Sequence, residues 1–522
     1  ATPEVSIKTA RLGPRWMVRL HGRRMLHSVR RAPWLPAAGG ALALGYMIYR
    51  LFLQIQADDN APDGHKEPRP QTADKPPCDV LTSPAWRGRL ATLTELSLAG
   101  CGLTVLPSTI GLCTNLRKLD LGGNDLVTLP DELASCFRLE ILFVLGSRRM
   151  TKLPPVLGRM SSITRLGLRS NGLVALEGSN LPPNVVHLIL TDNQISKIDQ
   201  EAYKRLSQCR KLMLANNALQ TFGGPHASKD LKNLELLRLA NNQLDELDSQ
   251  VLALPKLSWL ALAGNPCVPP PTIESGLPII SLQDVSFDVG SDLGRGASGV
   301  VRGGVWKGLQ VAVKTLAEKS SDGRALEELA VYRALAGDVP VALIRAVALV
   351  EPSAGEPVAA VVMEKLPKSV RDLAKPPTIV EVTRDIYPDA ERFTIRAALA
   401  ILQSAASALR HLHSRGVAHG DVYGHNILVD DLASLVKLGD FGASFSYSAF
   451  NAEQRRLMER LEVRAFGVLA AELGTRLAGG GATRAHLLGL ADRCLGADVS
   501  RRPGFGDVCE VLKHLESGIQ AP

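Results

Sequence analysis

The sequence predicts a multidomain chain: an α/β solenoid of short repeated strands, an α+β domain after it, and a basic segment in front. Three observations carry this reading. An L-x-x-L-x-L unit starts at Leu93, Leu116, Leu139, Ile163, Val185, Cys209, Leu234 and Leu257, with spacings of 22 to 25 residues. Past Pro278 that period stops, and a strand pattern wraps a run of glycines. The first 57 residues hold nine basic residues against one acidic, and no Asp or Glu follows Glu4 until Asp58.

At 522 residues the chain is too long for a single core. Its 45% hydrophobic and 21% charged content is that of a folding chain. The net charge of +8 lies in the N-terminal segment, since residues 58–522 balance at 51 basic and 51 acidic. That balance excludes a nucleic-acid-binding body, and no nucleic acid is expected as a partner. The eight cysteines are scattered, with no CxxC and no close His, which excludes a zinc site and reads as buried thiols in a reducing compartment.

The segment "PWLPAAGGALALGYMIYRLFLQI" (Pro33 to Ile55) is the one long stretch suited to a bilayer. No residue between Trp34 and Tyr49 is charged, and Trp34, Tyr46 and Tyr49 suit the interfaces. Three readings of residues 1–57 stand: a single-pass membrane anchor through residues 34–55, a cleaved organelle presequence, and an internal helix of the folded body. A membrane-associated, mitochondrial location is expected, with the C-terminal domain facing the cytosol. Residues 58–84 follow as a flexible linker, with five prolines between Asp58 and Pro77.

Residues 85–272 hold the repeats. Stretches such as "LDLGGNDLVTLP" and "LRLANNQLDEL" carry an Asn just after the strand, where its side chain satisfies backbone groups as the chain turns a corner. One such unit cannot bury its own leucines, so the copies must stack into a curved leucine-rich repeat solenoid. The third, "LEILFVLGSRRMTKLP", lacks the Asn, and an irregular corner is expected at Arg148-Arg149. A lone strand-borne Arg or His in the array reads as solvated surface. The concave face is expected to bind a protein partner.

In residues 280–517, Gly294-x-Gly296-x-x-Gly299-x-Val301 is followed by Val-Ala-Val-Lys314. A lone GxGxxG also opens dinucleotide folds, but strand-turn-strand leading to a lysine fits a loop that covers phosphates. "GRALEELAVYRALAG" offers Glu327 and Glu328 as the acidic partner of Lys314, the spacing favours Glu328, and Leu326, Leu329 and Val331 read as its apolar stripe. "VVMEKL" (Val361 to Leu366) reads as an edge or hinge strand. "VAHGDVYGHNILVD" then supplies Asp421 and Asn426, and "VKLGDFGAS" supplies Asp440-Phe441-Gly442.

In that order and spacing these motifs resemble the protein kinase catalytic domain, two-lobed and α+β. More narrowly, the chain resembles the leucine-rich repeat protein kinases in which repeats precede a compact Ser/Thr kinase domain with an HGDxYxHN loop. The "TRDIY" element (Thr383 to Tyr387) and "LEVRAFG" helix (Leu461 to Gly467) belong to the same resemblance. It implies γ-phosphate transfer from ATP to protein substrates with Mg²⁺. Asp421 is then the catalytic base, and Lys314 with Glu328 holds the phosphates. Asn426 and Asp440 ligate the metal. Gly294, Gly296, Gly299, Val301, Ala312, Glu364 and Leu366 line the nucleotide.

The loop departs from the kinase pattern twice. Gly420 stands where an Arg usually reads an activation-loop phosphate, and Tyr423 stands where a Lys usually meets the transferring phosphate. Losing one such contact costs about 10²–10³ in rate. The segment from Asp440 to Glu462 is short and has no Ala-Pro-Glu, which leaves Arg502 without its usual Glu. Two functions compete: an ATP-dependent protein kinase recruited by its repeats, and a pseudokinase scaffold. The five retained groups Lys314, Glu328, Asp421, Asn426 and Asp440 favour the first.

Overall fold

A computed structural model describes residues 78–271, 276–296, 298–353, 358–479 and 481–520. Residues 34–55 and the linker before Cys78 lie outside them. Among the described residues no helix is long and apolar enough to cross a membrane.

Eight three-residue strands form one parallel sheet in chain order: β1 (Glu95–Ser97), β2 (Lys118–Asp120), β3 (Ile141–Phe143), β4 (Arg165–Gly167), β5 (His187–Ile189), β6 (Lys211–Met213), β7 (Leu236–Arg238) and β8 (Trp259–Ala261). The central residue of each, from Leu96 to Leu260, is buried in one ladder of leucines. The Asn ladder holds the corners. Asn124 donates to the carbonyls of Leu98 and Leu121 and accepts from the amide of Leu103, and Asn171, Asn193, Asn217, Asn242 and Asn265 bond in the same way.

The third corner is not irregular as expected. Ser147, one residue before Arg148, takes the Asn position: its hydroxyl accepts from Leu126 N at 3.3 Å and donates to Asn124 O at 3.2 Å. The cysteine reading is also corrected. Cys101 occupies the same corner position in the first repeat and is disulfide-bonded to Cys78, with Cα atoms 5.4 Å apart. The other six cysteines are free thiols, and burial pushes that of Cys209 up to about 12. A pair separated by 23 residues became visible only when the chain folded back on its first repeat. Val80 and Leu81 are buried in the repeat core, so residues 78–84, expected as the end of the linker, cap the solenoid.

The second body has two lobes. Its first lobe is a five-stranded antiparallel sheet of β9 (Ser286–Gly296), β10 (Gly299–Trp306), β11 (Leu309–Leu316), β12 (Ala346–Val350) and β13 (Ala360–Glu364), in the order β9-β10-β11-β13-β12. Helix α1 (Ala325–Ala334) packs on it, with Glu327 and Glu328 in its first turn, where the helix dipole favours negative charge. Leu329 and Val331 are buried as expected, whereas Leu326 points outward and is 60% exposed.

The second lobe is helical: α2 (Ile395–Ser414), α3 (Ala452–Thr475), α4 (Gly481–Leu495) and α5 (Phe505–Gln520). Thr394 caps α2 by accepting from Ala397 N, and Asn451 with Gln454 closes a capping box on α3. Gln454 also donates its side-chain amide to Leu247 O of the repeats at 2.8 Å.

The described residues fall in one compact unit. Its cores run across the boundary between repeats and lobes. Ala418, Phe445, Tyr447, Phe450, Met458 and Leu461 pack in the same apolar cluster as the repeat leucines, and Leu236 and Trp259 pack with the second lobe. Ala443 sits against the repeat alanines Ala215, Ala240 and Ala261. The expectation of a foreign protein on the concave face is corrected in part, because the C-terminal strands of that face hold this chain's own second body.

Candidate active site

The glycine loop is the hairpin between β9 and β10, in which Gly296 pairs with Gly299 and Gly294 with Val301. Gly299 has φ of +154°, and a Cβ there would lie 2.1 Å from Thr315 O on β11, so only glycine permits this approach. A Cβ at Gly294 or Gly296 would meet nothing within 4 Å, which leaves the floor of the loop open. Val301 pairs with Lys314, and Ala312 lies between Gly303 and Met363 on the neighbouring strands.

Lys314 is buried, and its Nζ is 2.8 Å from Glu328 Oε1 and 2.8 Å from Asp440 Oδ1. Burial by itself disfavours the ammonium, but Glu328 and Asp440 outweigh it and hold the Lys314 pKa above the ordinary lysine value. Burial would likewise raise the Asp440 carboxyl, yet Lys314 holds it down at about 2. Phe441 is fully buried, edge-on to Tyr332 of α1 at 5.1 Å, so the residue after Asp440 fastens the loop to the helix that carries Glu328.

Asp421 and Asn426 form the second cluster. Asn426 Nδ2 donates to Asp421 O at 2.8 Å and to Asp421 Oδ2 at 3.0 Å. His419 accepts from Asp421 N at 3.3 Å and donates to Gly439 O at 3.0 Å, while Gly439 N donates to Asn426 O at 3.0 Å. These bonds tie the Asp421 loop to the strand that delivers Asp440. Glu462 of α3 accepts from His419 N at 3.1 Å and Gly420 N at 2.5 Å. Asp385 of "TRDIY" accepts from Gly424 N at 2.6 Å and His425 N at 3.3 Å. Two buried carboxylates therefore hold the loop from either side.

Glu364 ends β13 opposite Val311 and pairs through its side chain with Lys437 at 2.7 Å. Leu366 is half-buried just beyond the strand. The two lie farther along the sheet than the Lys314 cluster, since Lys314 pairs with Val361.

The cleft residues form no preformed metal cage. Among the described residues no cluster of three His, Cys, Asp or Glu side chains is placed to hold a metal. Mg²⁺ is commonly held by one or two protein ligands together with substrate phosphates. Asp440, 47% exposed at its side chain, and the Oδ1 of Asn426, whose amide nitrogen is committed to Asp421, fit that role.

Residues 287–463 match the family model described as "Protein kinase domain", and residues 115–136 and 183–244 match leucine-rich repeat models. This chain is a leucine-rich repeat array joined to a protein kinase domain. This chain is 29% identical over 31% of its length to a "Putative serine/threonine-protein kinase/receptor" of Acanthamoeba polyphaga mimivirus. It aligns at 34% over 29% of the chain with a "Probable serine/threonine-protein kinase" of Dictyostelium discoideum. Each alignment covers 9% of the relative, so the chain spans under a tenth of those proteins. A further similarity is to podocan of Mus musculus, 33% identical over 20% of this chain and 17% of podocan.

The kinase domain's catalytic loop meets the repeats directly, and sequence reading singled out none of the repeat residues that do this. Arg238 of β7 is buried; it forms an ion pair with the Asp421 carboxylate and donates to Gly420 O at 3.1 Å. Its Nε is 2.6 Å from Asp322 Oδ1, in the loop before α1. Trp259 of β8 donates to Val422 O at 2.9 Å and lies flat on Tyr423. Glu235 binds Thr383 and, at 2.8 Å, Arg384. Arg165 of β4 donates to Ile379 O at 2.7 Å. Arg464 of α3 reaches Ser258 at 2.5 Å.

Both departures in the loop acquire a reason here. Gly420 has φ of +77°, and a Cβ on it would fall 2.4 Å from Ala443 O and 2.7 Å from Leu260 O, so no Arg fits against β8. Tyr423 is buried and its ring is stacked on Trp259. Arg502, without its usual Glu, donates to the carbonyls of Gly496, Arg460 and Pro255, the last from the repeats. Ser444, Ser446 and Tyr447 of the short segment are buried. The one available signal was a Trp in "LSWLALAGN" at a strand position that ought to face solvent.

Proposed function

We propose that this chain is an ATP-dependent Ser/Thr protein kinase using Mg²⁺. The observation that carries the reading is Lys314 bonded at once to Glu328 and Asp440, each at 2.8 Å. A lysine held between the helix carboxylate and the metal-binding aspartate is the arrangement that positions nucleotide phosphates. Lys314 then holds the α- and β-phosphates under the loop of Gly294, Gly296 and Gly299. Backbone groups of Glu364 and Leu366 take the adenine beside Ala312 and Val301. Asn426 and Asp440 would hold Mg²⁺, which when bound would supply charge neutralisation to the phosphates. Asp421 orients the acceptor hydroxyl and accepts its proton.

The test is Mg-ATP binding and phosphate transfer by the full chain. Ligand bound only to the folded state adds about 2.7 kcal/mol of stability at a hundred times Kd. The melting temperature should therefore rise with Mg-ATP, and Lys314→Met should remove the rise. An unchanged melting temperature in the parent rejects the reading.

Recruitment of a protein substrate by the repeats is part of the proposal. It falls to β1 to β3, where Asp120, Ile141 and Phe143 are half-buried, because the later strands hold the kinase domain. Phe143→Glu should raise KM for the protein substrate and leave kcat unchanged. We also propose that residues 1–57 direct the chain to a mitochondrial membrane; a reporter fused to them that stays diffuse would refute this.

A further inference from the structure

The catalytic loop has no cation of its own at position 423, and the repeats set one against its carboxylate. We propose that Arg238 is a positioning residue for phosphotransfer, so that the repeats complete the catalytic loop. This rests on the kinase reading above.

The guanidinium is fixed on three sides. It meets Asp421 and Gly420 O in the second lobe and Asp322 in the first, so it bridges both lobes where they face each other across the cleft. Its side chain is 5% exposed while that of Asp421 is 20% exposed, which leaves the carboxylate within reach of an acceptor. Asn426 holds Asp421 Oδ2 and Arg238 holds Oδ1, so both oxygens of the base have a set direction.

A blocking role is the natural alternative, and two observations count against it. The Lys314–Glu328–Asp440 cluster is fully assembled while the repeats are docked, so the docked arrangement is one ready for nucleotide. A releasable inhibitor also needs a separable interface. Here Phe445, Tyr447 and Phe450 of the kinase domain share a core with the repeat leucines, and an interface resembling a domain core cut in half is a permanent one.

In the step itself the acceptor hydroxyl oxygen bonds to the γ-phosphorus. The bond from that phosphorus to the bridging oxygen breaks, its electron pair leaves with ADP, and the hydroxyl proton passes to Asp421. Arg238 keeps Asp421 aimed, and its charge offsets the negative charge gathering beside it, as the absent lysine would. The charged and titratable groups around Asp421 are Arg238 and Lys211 from the repeats, His419, Tyr423 and His425 from its own loop, and Asp322 across the cleft.

The experiment measures kcat and KM for ATP for the full chain, Arg238→Ala, Arg238→Lys and Asp322→Asn. We expect Arg238→Ala to lower kcat by about 10²–10³ with KM for ATP nearly unchanged. Arg238→Lys should restore part of the loss. If Arg238→Ala fails to fold, Arg238→Lys and Asp322→Asn carry the same readouts through smaller losses. An Arg238→Ala enzyme as fast as the parent, or faster, overturns the proposal. So does a loss that Lys does not rescue, or one that falls on KM for ATP and leaves kcat unchanged. A parent that neither binds Mg-ATP nor transfers phosphate rejects the kinase reading itself, and that failure is recognised without any Arg238 variant.

Discussion

The indole of Trp259 lies on the ring of Tyr423, 4.3 Å between centroids and 5° from parallel, and its Nε1 donates to the carbonyl of Val422 between them. One residue of the last repeat thus holds the catalytic loop through both its ring and its polar edge. Large buried aromatics dominate the energetics of such contacts, and stacking adds about 0.5–1.5 kcal/mol beyond burial.

Trp259→Ala should therefore cost about 3–5 kcal/mol of stability. Because the cores are shared, repeats and kinase domain should melt in one transition in the parent. Calorimetry of the variant should show a lower melting temperature for the whole unit. A loss confined to one of two separate transitions would argue against the shared core.

Tyr423→Lys restores the residue a kinase loop usually has, and from sequence it ought to be harmless. The structure reverses that expectation. The ring stacked under Trp259 would be lost and an ammonium placed in a buried site that already holds Arg238 beside Asp421, and removing a packed buried aromatic costs about 3–5 kcal/mol. Urea unfolding should show a reduced midpoint, and a variant as stable as the parent would remove Tyr423 from the interface.

Gly420→Arg also restores a usual residue. The left-handed backbone at φ +77° alone costs a side chain about 1–3 kcal/mol, before the collision with Leu260 O and Ala443 O. Poor folding is expected, with any folded fraction showing increased proteolysis between the repeats and the kinase domain. Normal stability would mean that β8 and the loop can separate at little cost.

Asp421→Asn should eliminate phosphate transfer and leave the Mg-ATP melting shift nearly intact, since Asp421 serves the acceptor and not the nucleotide. Losing the carboxylate also leaves Arg238 paired with Asp322 alone, so a modest fall in melting temperature should accompany it. A variant that labels substrate at the parental rate would remove Asp421 as the base.

Cys78→Ser should destabilise the first repeats. Closing a loop of 23 residues by a disulfide contributes about 3 kcal/mol through the unfolded chain. Hydrogen exchange should quicken at Leu96 and Leu98 and change little at Leu237 and Leu260. Uniform quickening would show that the cap acts on the whole unit.

Sequence alone determined the repeats and the residues gathered at the candidate site, because both are written as local periods and ordered motifs. The leucine spacing dictated stacked parallel strands, and Ser147 at the third corner shows that position matters more there than Asn itself. Lys314, Glu328, Asp421, Asn426 and Asp440 were readable because each sits in a motif of fixed spacing. What tertiary structure decided was the partner of each departure from those motifs. Gly420 and Tyr423 looked like losses until Leu260 and Trp259 were found against them, more than 150 residues away in the chain. Arg238 reads as surface in its own repeat, because solvation is the default for a strand-borne arginine on an open face. Only folding puts Asp421 and Asp322 around it, since charge pairing across domains depends on distance in space and leaves no period in the sequence.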